Sequence, residues 1–468
     1  MQDLHDILAA QRKAFDNDPY PSWAERRKKL LALGDAIQQN EGRFCQAISE
    51  DFGHRAQEET ILAEAIVIRG GISHALRHTL GWMRPRRVPT ALQFLPGRNR
   101  IHPQPLGVIG IISPWNYPLQ LSVMPLIGAL GAGNRVMLKP SELTPQFSLL
   151  LKEVLASVFD ETDVHLATGG VDVAQSFSEL PFDHLVFTGS TRVGRLVAQA
   201  AARNLTPCTL ELGGKSPVII DDSARWNQTV SRIANGKLLN SGQTCVAPDY
   251  VLMPPDRIER FATDIIAKAE QFYPSFADND DYTSIVADNH FRRLQALVED
   301  AAEKGATVRV AGRDDAQRLA KLRRMPLTVI TGASPDMRVL QEEIFGPILP
   351  VLPSPDLDHA MATVRERDRP LALYWFGEDA GKRARVERET ISGGTCINET
   401  AWHVVQENLP FGGVGPSGMG AYHGVHGFRS FSHMKGVFQQ SAHSQGKTLY
   451  PPYTHRTHAL LNLMKKIA

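Results

Sequence analysis

Two residues are poised for covalent chemistry: Cys245, in Asn240-Ser-Gly-Gln-Thr-Cys-Val-Ala-Pro-Asp-Tyr250, and Glu211, which opens Glu211-Leu-Gly-Gly-Lys-Ser216. Both stand beside glycines. Together they point to a thiol that attacks an electrophile and a carboxylate that activates water against the resulting thioester. A free cysteine more often serves as a small apolar core residue. Cys245 departs from that pattern because it follows a polar, Gly-containing turn, whereas Cys45, Cys208 and Cys396 lack such a context and read as structural. Glu211 ends an apolar, strand-like run, so burial would raise its pKa and suit it to take a proton near neutral pH. Asn116, in Ile112-Ser-Pro-Trp-Asn-Tyr-Pro118, is a carboxamide in a proline-stiffened aromatic loop. It reads either as a donor to a developing oxyanion, worth about 3 kcal/mol when preorganised, or as a plain Asn turn.

Such groups need a rigid frame. Short apolar strands alternate with helical segments from Val108 to Ile112, over 124–130, from Arg135 to Leu138, over 146–158, from Val164 to Ala167 and from His184 to Phe187. That rhythm predicts a parallel sheet covered by helices, and such sheets bind ligands at the carboxyl ends of their strands. Phe187-Thr-Gly-Ser-Thr-Arg-Val-Gly194 ends one strand and opens a helix, so Gly189 and Ser190 could offer N–H groups to a phosphate. A capped turn is the commoner meaning, and the full GxGxxG is missing. Lys139 and Glu142, in Leu138-Lys-Pro-Ser-Glu142, project from a neighbouring strand end, where they hold a ribose or form a solvated turn. A second series begins near Thr209, with strands at Val218 to Ile220, Tyr250 to Met253, Thr307 to Val310, Leu349 to Leu352 and Ala372 to Trp375. Helical spacing covers 4–48 and 58–82, a hairpin or arm fits Arg84 to Pro105, and Phe431 to Gln439 reads as a strand. The tail from Ser441 is loop-like until a helix over 459–467.

At 468 residues the chain has room for two or three lobes of about 100–200 residues each. Lys+Arg 51 against Asp+Glu 50 supports no nucleic-acid footprint. The four cysteines lack CxxC spacing, which argues against a disulfide framework and a zinc knuckle and for a reducing, cytoplasmic setting. His423, His426 and His433 fit no zinc spacing, so no metal is expected. The polar start at Met1 carries no export signal, and the apolar tract from Leu119 to Leu138 is broken by Pro125, Asn134 and Arg135, so no membrane span is expected.

In this order the motifs resemble the aldehyde dehydrogenases over about residues 20–440. The likeness rests on Pro114-Trp-Asn116, Lys139-Pro-Ser-Glu142, Phe187-Thr-Gly-Ser190, Glu211-Leu-Gly-Gly-Lys-Ser216, Ser241-Gly-Gln-Thr-Cys245, Glu342-Glu-Ile-Phe-Gly-Pro347 and Pro410-Phe-Gly-Gly-Val-Gly415. Cys245-Val-Ala-Pro-Asp-Tyr250, Ser417-Gly-Met-Gly-Ala-Tyr-His-Gly424 and Tyr450-Pro-Pro-Tyr453 are similar to the class 3 branch. Trp82-Met-Arg-Pro-Arg-Arg87, Gln104-Pro-Leu-Gly-Val-Ile-Gly-Ile-Ile112 and Gly415-Pro-Ser-Gly-Met-Gly-Ala-Tyr-His-Gly424 are most similar to its bacterial coniferyl aldehyde members.

The resemblance implies an α/β aldehyde dehydrogenase fold: a Rossmann-like cofactor domain over 1–83 and 106–208, an α/β catalytic domain over 209–397, a return to the cofactor domain over 398–420, a small β oligomerisation arm from 84–105 and 421–440, and a tail over 441–468. It makes Cys245 the nucleophile, Glu211 the base and Asn116 the oxyanion donor. Trp115, Lys139, Glu142, Gly189, Ser190, Gly194, Glu343 and Phe345 become the cofactor-binding set. A Glu beside the ribose favours NAD, while Lys139 leaves NADP open. It further implies an aromatic substrate such as coniferyl aldehyde and a homodimer. An aliphatic or benzaldehyde-type substrate, reached through a tunnel to which Tyr117, Trp402 and His403 contribute, is the alternative. A non-catalytic protein of the same fold is a third reading, and the intact Cys245, Glu211 and Asn116 argue against it.

Overall fold

Three sheets carry the residues of interest in the computed structural model, which describes residues 4–467. The polar start at Met1 lies outside the described residues. In chain order, β1 (Arg86–Val88) and β2 (Arg98–Pro105) make a hairpin, and β3 (Val108–Ile112), β4 (Arg135–Lys139), β5 (Val164–Leu166), β6 (His184–Thr188) and β7 (Cys208–Glu211) follow. Next come β8 (Pro217–Ile220), β9 (Tyr250–Met253), β10 (Thr307–Val310), β11 (Thr328–Thr331), β12 (Ile348–Pro353), β13 (Ala372–Phe376) and β14 (Gly394–Ile397). β15 (Gly418–Met419) and β16 (Ser432–Gln439) complete the set.

The first large sheet runs β15-β7-β6-β3-β4-β5, the second β10-β11-β12-β9-β8-β13-β14, and the arm β1-β2-β16. Neighbours from β7 to β5 are all parallel. A strand buried on both faces can be apolar throughout, and Val-Ile-Gly-Ile-Ile of β3 is buried at every position. The helix Pro118–Ala132 is almost wholly buried for the same reason, starts on a proline and stops at Gly133, whose φ of 94° is the left-handed turn that ends many helices.

Several boundaries differ from those predicted. β7 belongs to the first sheet, because Leu210 and Glu211 pair with Phe187 and Thr188 of β6, so the division at 208/209 cuts a strand and the second sheet begins at β8. The short strand β15 returns the chain to β7, within the stretch expected to rejoin the first lobe. β11 and β14 have no counterpart in the predicted series; each has only four residues between loops. The arm strand starts at Ser432 and pairs along its length with β2. Residues before it are no part of the arm: the helix Gly424–Ser430 packs on Pro118–Ala132 and Ile66–Trp82. The terminal helix starts earlier than predicted, at His455. Among the described residues no helix is long and apolar enough to cross a membrane.

Candidate active site

Loops at the strand ends of the two large sheets come together. Parallel register brings the carboxyl ends of β3, β4, β6 and β7, at Ile112, Lys139, Thr188 and Glu211, to one edge. From the second sheet come the segments that enter the amino ends of β8, β9 and β12, at Ser216, Asp249 and Pro347. The Lys215 ammonium locks these segments together. It donates to Val339 O at 2.8 Å and Glu342 O at 2.9 Å and pairs with Asp249, whose other oxygen accepts from Ile344 N at 2.9 Å. The turn of Cys245 and the loop of Glu343 are thereby one unit.

That turn is wound tightly. The helix Trp226–Leu238 passes into a short turn in which Asn240 and Ser241 are left-handed, each at φ 52°. At Gly242, φ is 73° and a Cβ would stand 2.5 Å from Gly346 O, so only glycine fits. Gln243 braces the turn from inside: its amide donates to Asn240 O at 2.9 Å and Ser284 O at 3.1 Å and accepts from Val286 N at 3.0 Å. Tyr374 donates its hydroxyl to Val246 O, and Thr244 shares a hydrogen bond of 2.8 Å with the Tyr117 hydroxyl.

The Cys245 side chain is half-buried in this frame. Enclosure by protein, then the charges of Glu343 and Glu211, push its thiol up to about 12. Glu211 is 3% exposed, and neither carboxylate oxygen has a partner, so burial raises it well above the usual carboxylate range. Glu343 is pushed up to about 8 by burial and by Asp249. Asn116 Nδ2 donates to Gln243 O at 3.1 Å. A carboxamide nitrogen has two hydrogens, so one remains for a ligand, and Gln243 is two residues before Cys245.

The cofactor candidates divide. Lys139 is 1% exposed and its ammonium donates to Pro140 O at 2.7 Å; burial lowers its pKa and nearby Glu142 opposes that. Glu142 and Ser190 are exposed, and Ser190 caps the helix Thr191–Arg203 by accepting from Val193 N at 3.4 Å. Gly189 sits at the same strand end, its N–H on Glu211 O at 3.0 Å. Gly194 lies one turn into the helix Thr191–Arg203. It is buried, and a Cβ there would meet Leu212 at 2.5 Å, so it serves helix-to-strand packing. Trp115 and Phe345 meet edge to face with centroids 5.5 Å apart, and Phe345 is left-handed at φ 51°. The Glu343 carboxylate fills the space a side chain at Gly213 would need, a Cβ there falling 2.0 Å from Oε2. Of the predicted tunnel residues, Tyr117 and His403 are buried, while Trp402 is 62% exposed. Among the described residues no His, Cys, Asp and Glu group could hold a metal.

Sequence reasoning missed a buried ionic cluster behind Asn116. Arg55 Nη1 lies 3.0 Å from Glu64 Oε1 and Nε 4.0 Å from Glu59 Oε1. Glu64 Oε2 accepts from Leu119 N at 2.7 Å and Gln120 N at 2.9 Å, capping a helix whose N-cap residue, Tyr117, makes no side-chain cap bond. In the sequence Glu59 and Glu64 fall within the helical spacing over 58–82 and Arg55 just before it, with nothing to mark them as partners. Glu64 lies within the π-turn Ile61–Ala65, where an extra residue shifts the helical register, and is fully buried.

A family model for the aldehyde dehydrogenase family matches residues 1–437. The chain belongs to the aldehyde dehydrogenase family. It is 49% identical over 450 residues to a probable coniferyl aldehyde dehydrogenase of Pseudomonas aeruginosa, covering 96% of this chain and 94% of the relative. A substrate-bound structure of Staphylococcus aureus AldH superposes with a TM-score of 0.93 at 36% identity, over 99% of this chain and all of that one. A betaine aldehyde dehydrogenase from Staphylococcus aureus in complex with NAD+ gives a TM-score of 0.82 at 26% identity, over 96% of this chain and 88% of that one.

Proposed function

We propose that this aldehyde dehydrogenase oxidises a phenylpropanoid aldehyde of the coniferyl aldehyde type to its acid, with NAD as the hydride acceptor. One observation carries the chemistry. Glu211 is buried with both oxygens unpartnered and its charge raises the Cys245 thiol, while Asn116, bonded to Gln243 in the same turn, keeps a free donor. Cys245 Sγ attacks the carbonyl carbon, and the oxyanion accepts from Asn116 Nδ2 and the Cys245 backbone N–H. The C–H bond then gives up hydride and leaves a thioester on Cys245. Glu211 removes a proton from water, the oxygen attacks the thioester carbon, and the acid departs with the thiolate restored.

The chain's residues fit a dinucleotide. Lys139, with one of its three donors used, and exposed Glu142 are placed for a ribose; Gly189 and Ser190, at a helix N-terminus, for the pyrophosphate; Glu343, Trp115 and Phe345 for the nicotinamide end. When bound, oxidised nicotinamide supplies the hydride acceptor and a positive charge that favours the thiolate of Cys245. Glu142 repels a 2′-phosphate, so NAD leads, and the Lys139 ammonium leaves NADP as a weaker second.

The substrate class rests on the likeness to the Pseudomonas aeruginosa protein. The test is kcat/KM over hydroxycinnamyl, benzyl and alkyl aldehydes with each nucleotide. Hydroxycinnamyl aldehydes should lead by about tenfold, equivalent to about 1.4 kcal/mol of transition-state binding. An alkyl aldehyde in the lead would overturn the assignment.

We also read the chain as a homodimer in a reducing, cytoplasmic setting. The outer edge of β16 is free in a single chain, and Phe94, Leu95 and Phe438 are each about half exposed near it. Proteins cover such edges. Light scattering should give twice the chain mass, and a monomer would contradict the reading. The unpaired Cys45, Cys208, Cys245 and Cys396 support the compartment.

A further inference from the structure

We propose that Arg55 is a positioning residue that holds the Asn116 loop and the Cys245 turn as a single unit for the aldehyde-oxidising step. The inference rests on the reading of Asn116 as oxyanion donor. Arg55 is 2% exposed, and its Nη1 donates to Asn116 O at 3.2 Å. The same carbonyl accepts from Asn240 Nδ2 at 2.9 Å, and Asn240 Nδ2 also reaches Gln243 O at 3.2 Å. Asn116 is thus gripped at both ends: its carbonyl by Arg55 and Asn240, its carboxamide by Gln243.

A second route runs through the ring of Tyr117. The Arg55 guanidinium carbon stands 5.0 Å from that ring's centre, and the Tyr117 hydroxyl bonds Thr244, the residue before Cys245. A third runs through Glu59, which accepts from Thr283 Oγ1 at 2.8 Å; Thr283 O accepts in turn from Ser241 Oγ in the same turn. Glu64 ties the guanidinium to the first N–H groups of the helix that follows Asn116. Arg55 Nε and Nη2 have no hydrogen-bond partner, so the side chain is not fully satisfied where it is. Buried ion pairs contribute little net stability compared with apolar packing. What this cluster provides is geometry: every bond of the guanidinium leads to a loop that carries a reacting group or to a carboxylate that braces one.

The test is a double-mutant cycle with Arg55→Gln, Arg55→Lys and Asn116→Ala. Turnover is normalised to active sites counted by alkylation of Cys245. Arg55→Gln should lower kcat about 10²-fold, as expected when a donor is displaced by about an ångström. The KM for NAD should move by less than about threefold, since Arg55 makes no direct hydrogen bond or ion pair to a nucleotide residue and meets Trp115 only through the intervening ring of Phe52. A primary isotope effect with 1-deuterated aldehyde should appear or grow, and Arg55→Lys, which keeps the charge without the fork, should recover about tenfold. Combined with Asn116→Ala, Arg55→Gln should cost less than about threefold more, because the donor it positions is gone. A loss of Tm with unchanged turnover per site would overturn the proposal, as would a full additional 10²-fold loss in the Asn116→Ala background. If Arg55→Gln fails to fold, isosteric Glu64→Gln takes its place in the same cycle. Normal turnover in Asn116→Ala alone would instead sink the oxyanion reading beneath it.

Discussion

Replacing Glu211 by Gln separates the two halves of the reaction. The carboxamide has the same shape, and the side chain is 3% exposed with neither oxygen partnered, so no hydrogen bond is broken. Stability should hardly fall. A buried carboxyl raised above its unfolded value is stabilising while protonated and loses that contribution as pH rises through its folded pKa. Gln has no such loss, so the variant's Tm should equal or exceed that of the wild type on the alkaline side. General-base catalysis is worth about 10²–10⁴ in rate, or about 3–5 kcal/mol of barrier, and it should be lost from thioester hydrolysis alone. In rapid mixing with aldehyde and NAD, the variant should release a burst of NADH close to one equivalent per site, followed by a steady state slower by that factor. Unchanged steady-state turnover would refute the assignment of Glu211 as base. Loss of the burst would place Glu211 before acylation, in deprotonating Cys245, whose thiol its charge already affects.

Three further outcomes test other parts of the site. Asn116→Ala should lower kcat by about 10²–10³ with NAD affinity unchanged, and a drop confined to KM would contradict an oxyanion role. Lys139→Met should weaken NAD binding measured by fluorescence titration by about tenfold while leaving Cys245 alkylation unaltered; equal affinity would remove Lys139 from the nucleotide site. Buried His403 and His423 are each pushed down to about 4 by burial. The folded state therefore binds fewer protons than the unfolded chain between about 4 and the ordinary value near 6.5, and stability is lost as pH falls through that window, by up to about 3 kcal/mol for each residue. Thermal denaturation from pH 7 down to 4 should show a steep fall that His423→Gln makes shallower, and identical slopes would contradict it.

The strand-and-helix rhythm was legible because burial on both faces leaves β3, β9 and β13 almost without polar residues, and β3 and β9 have the bounds the sequence predicts. Cys245 and Glu211 were legible because their glycines have local causes: Gly242 must be left-handed, and Gly213 leaves room for Glu343. The sequence puts the lobe break near Thr209, inside β7, because a four-residue strand reading Cys-Thr-Leu-Glu carries no pattern that marks its sheet, and only its register with β6 decides. Gly194 followed the phosphate-loop pattern, yet its missing side chain makes space for Leu212. Arg55, Glu59 and Glu64 were invisible because each acts through partners far along the chain, Asn116, Leu119 and Thr283. Local composition is the same whether such charged residues face water or a buried loop.

The central claim is that Cys245 carries the substrate as a thioester. Intact-mass and peptide analysis of the Glu211→Gln protein, quenched in acid after mixing with a hydroxycinnamyl aldehyde and NAD, tests it most directly. The account predicts one acyl group per chain, on the peptide containing Cys245, and none in a Cys245→Ser background. An acyl group on another residue, or NADH formation that survives Cys245→Ser, would contradict it.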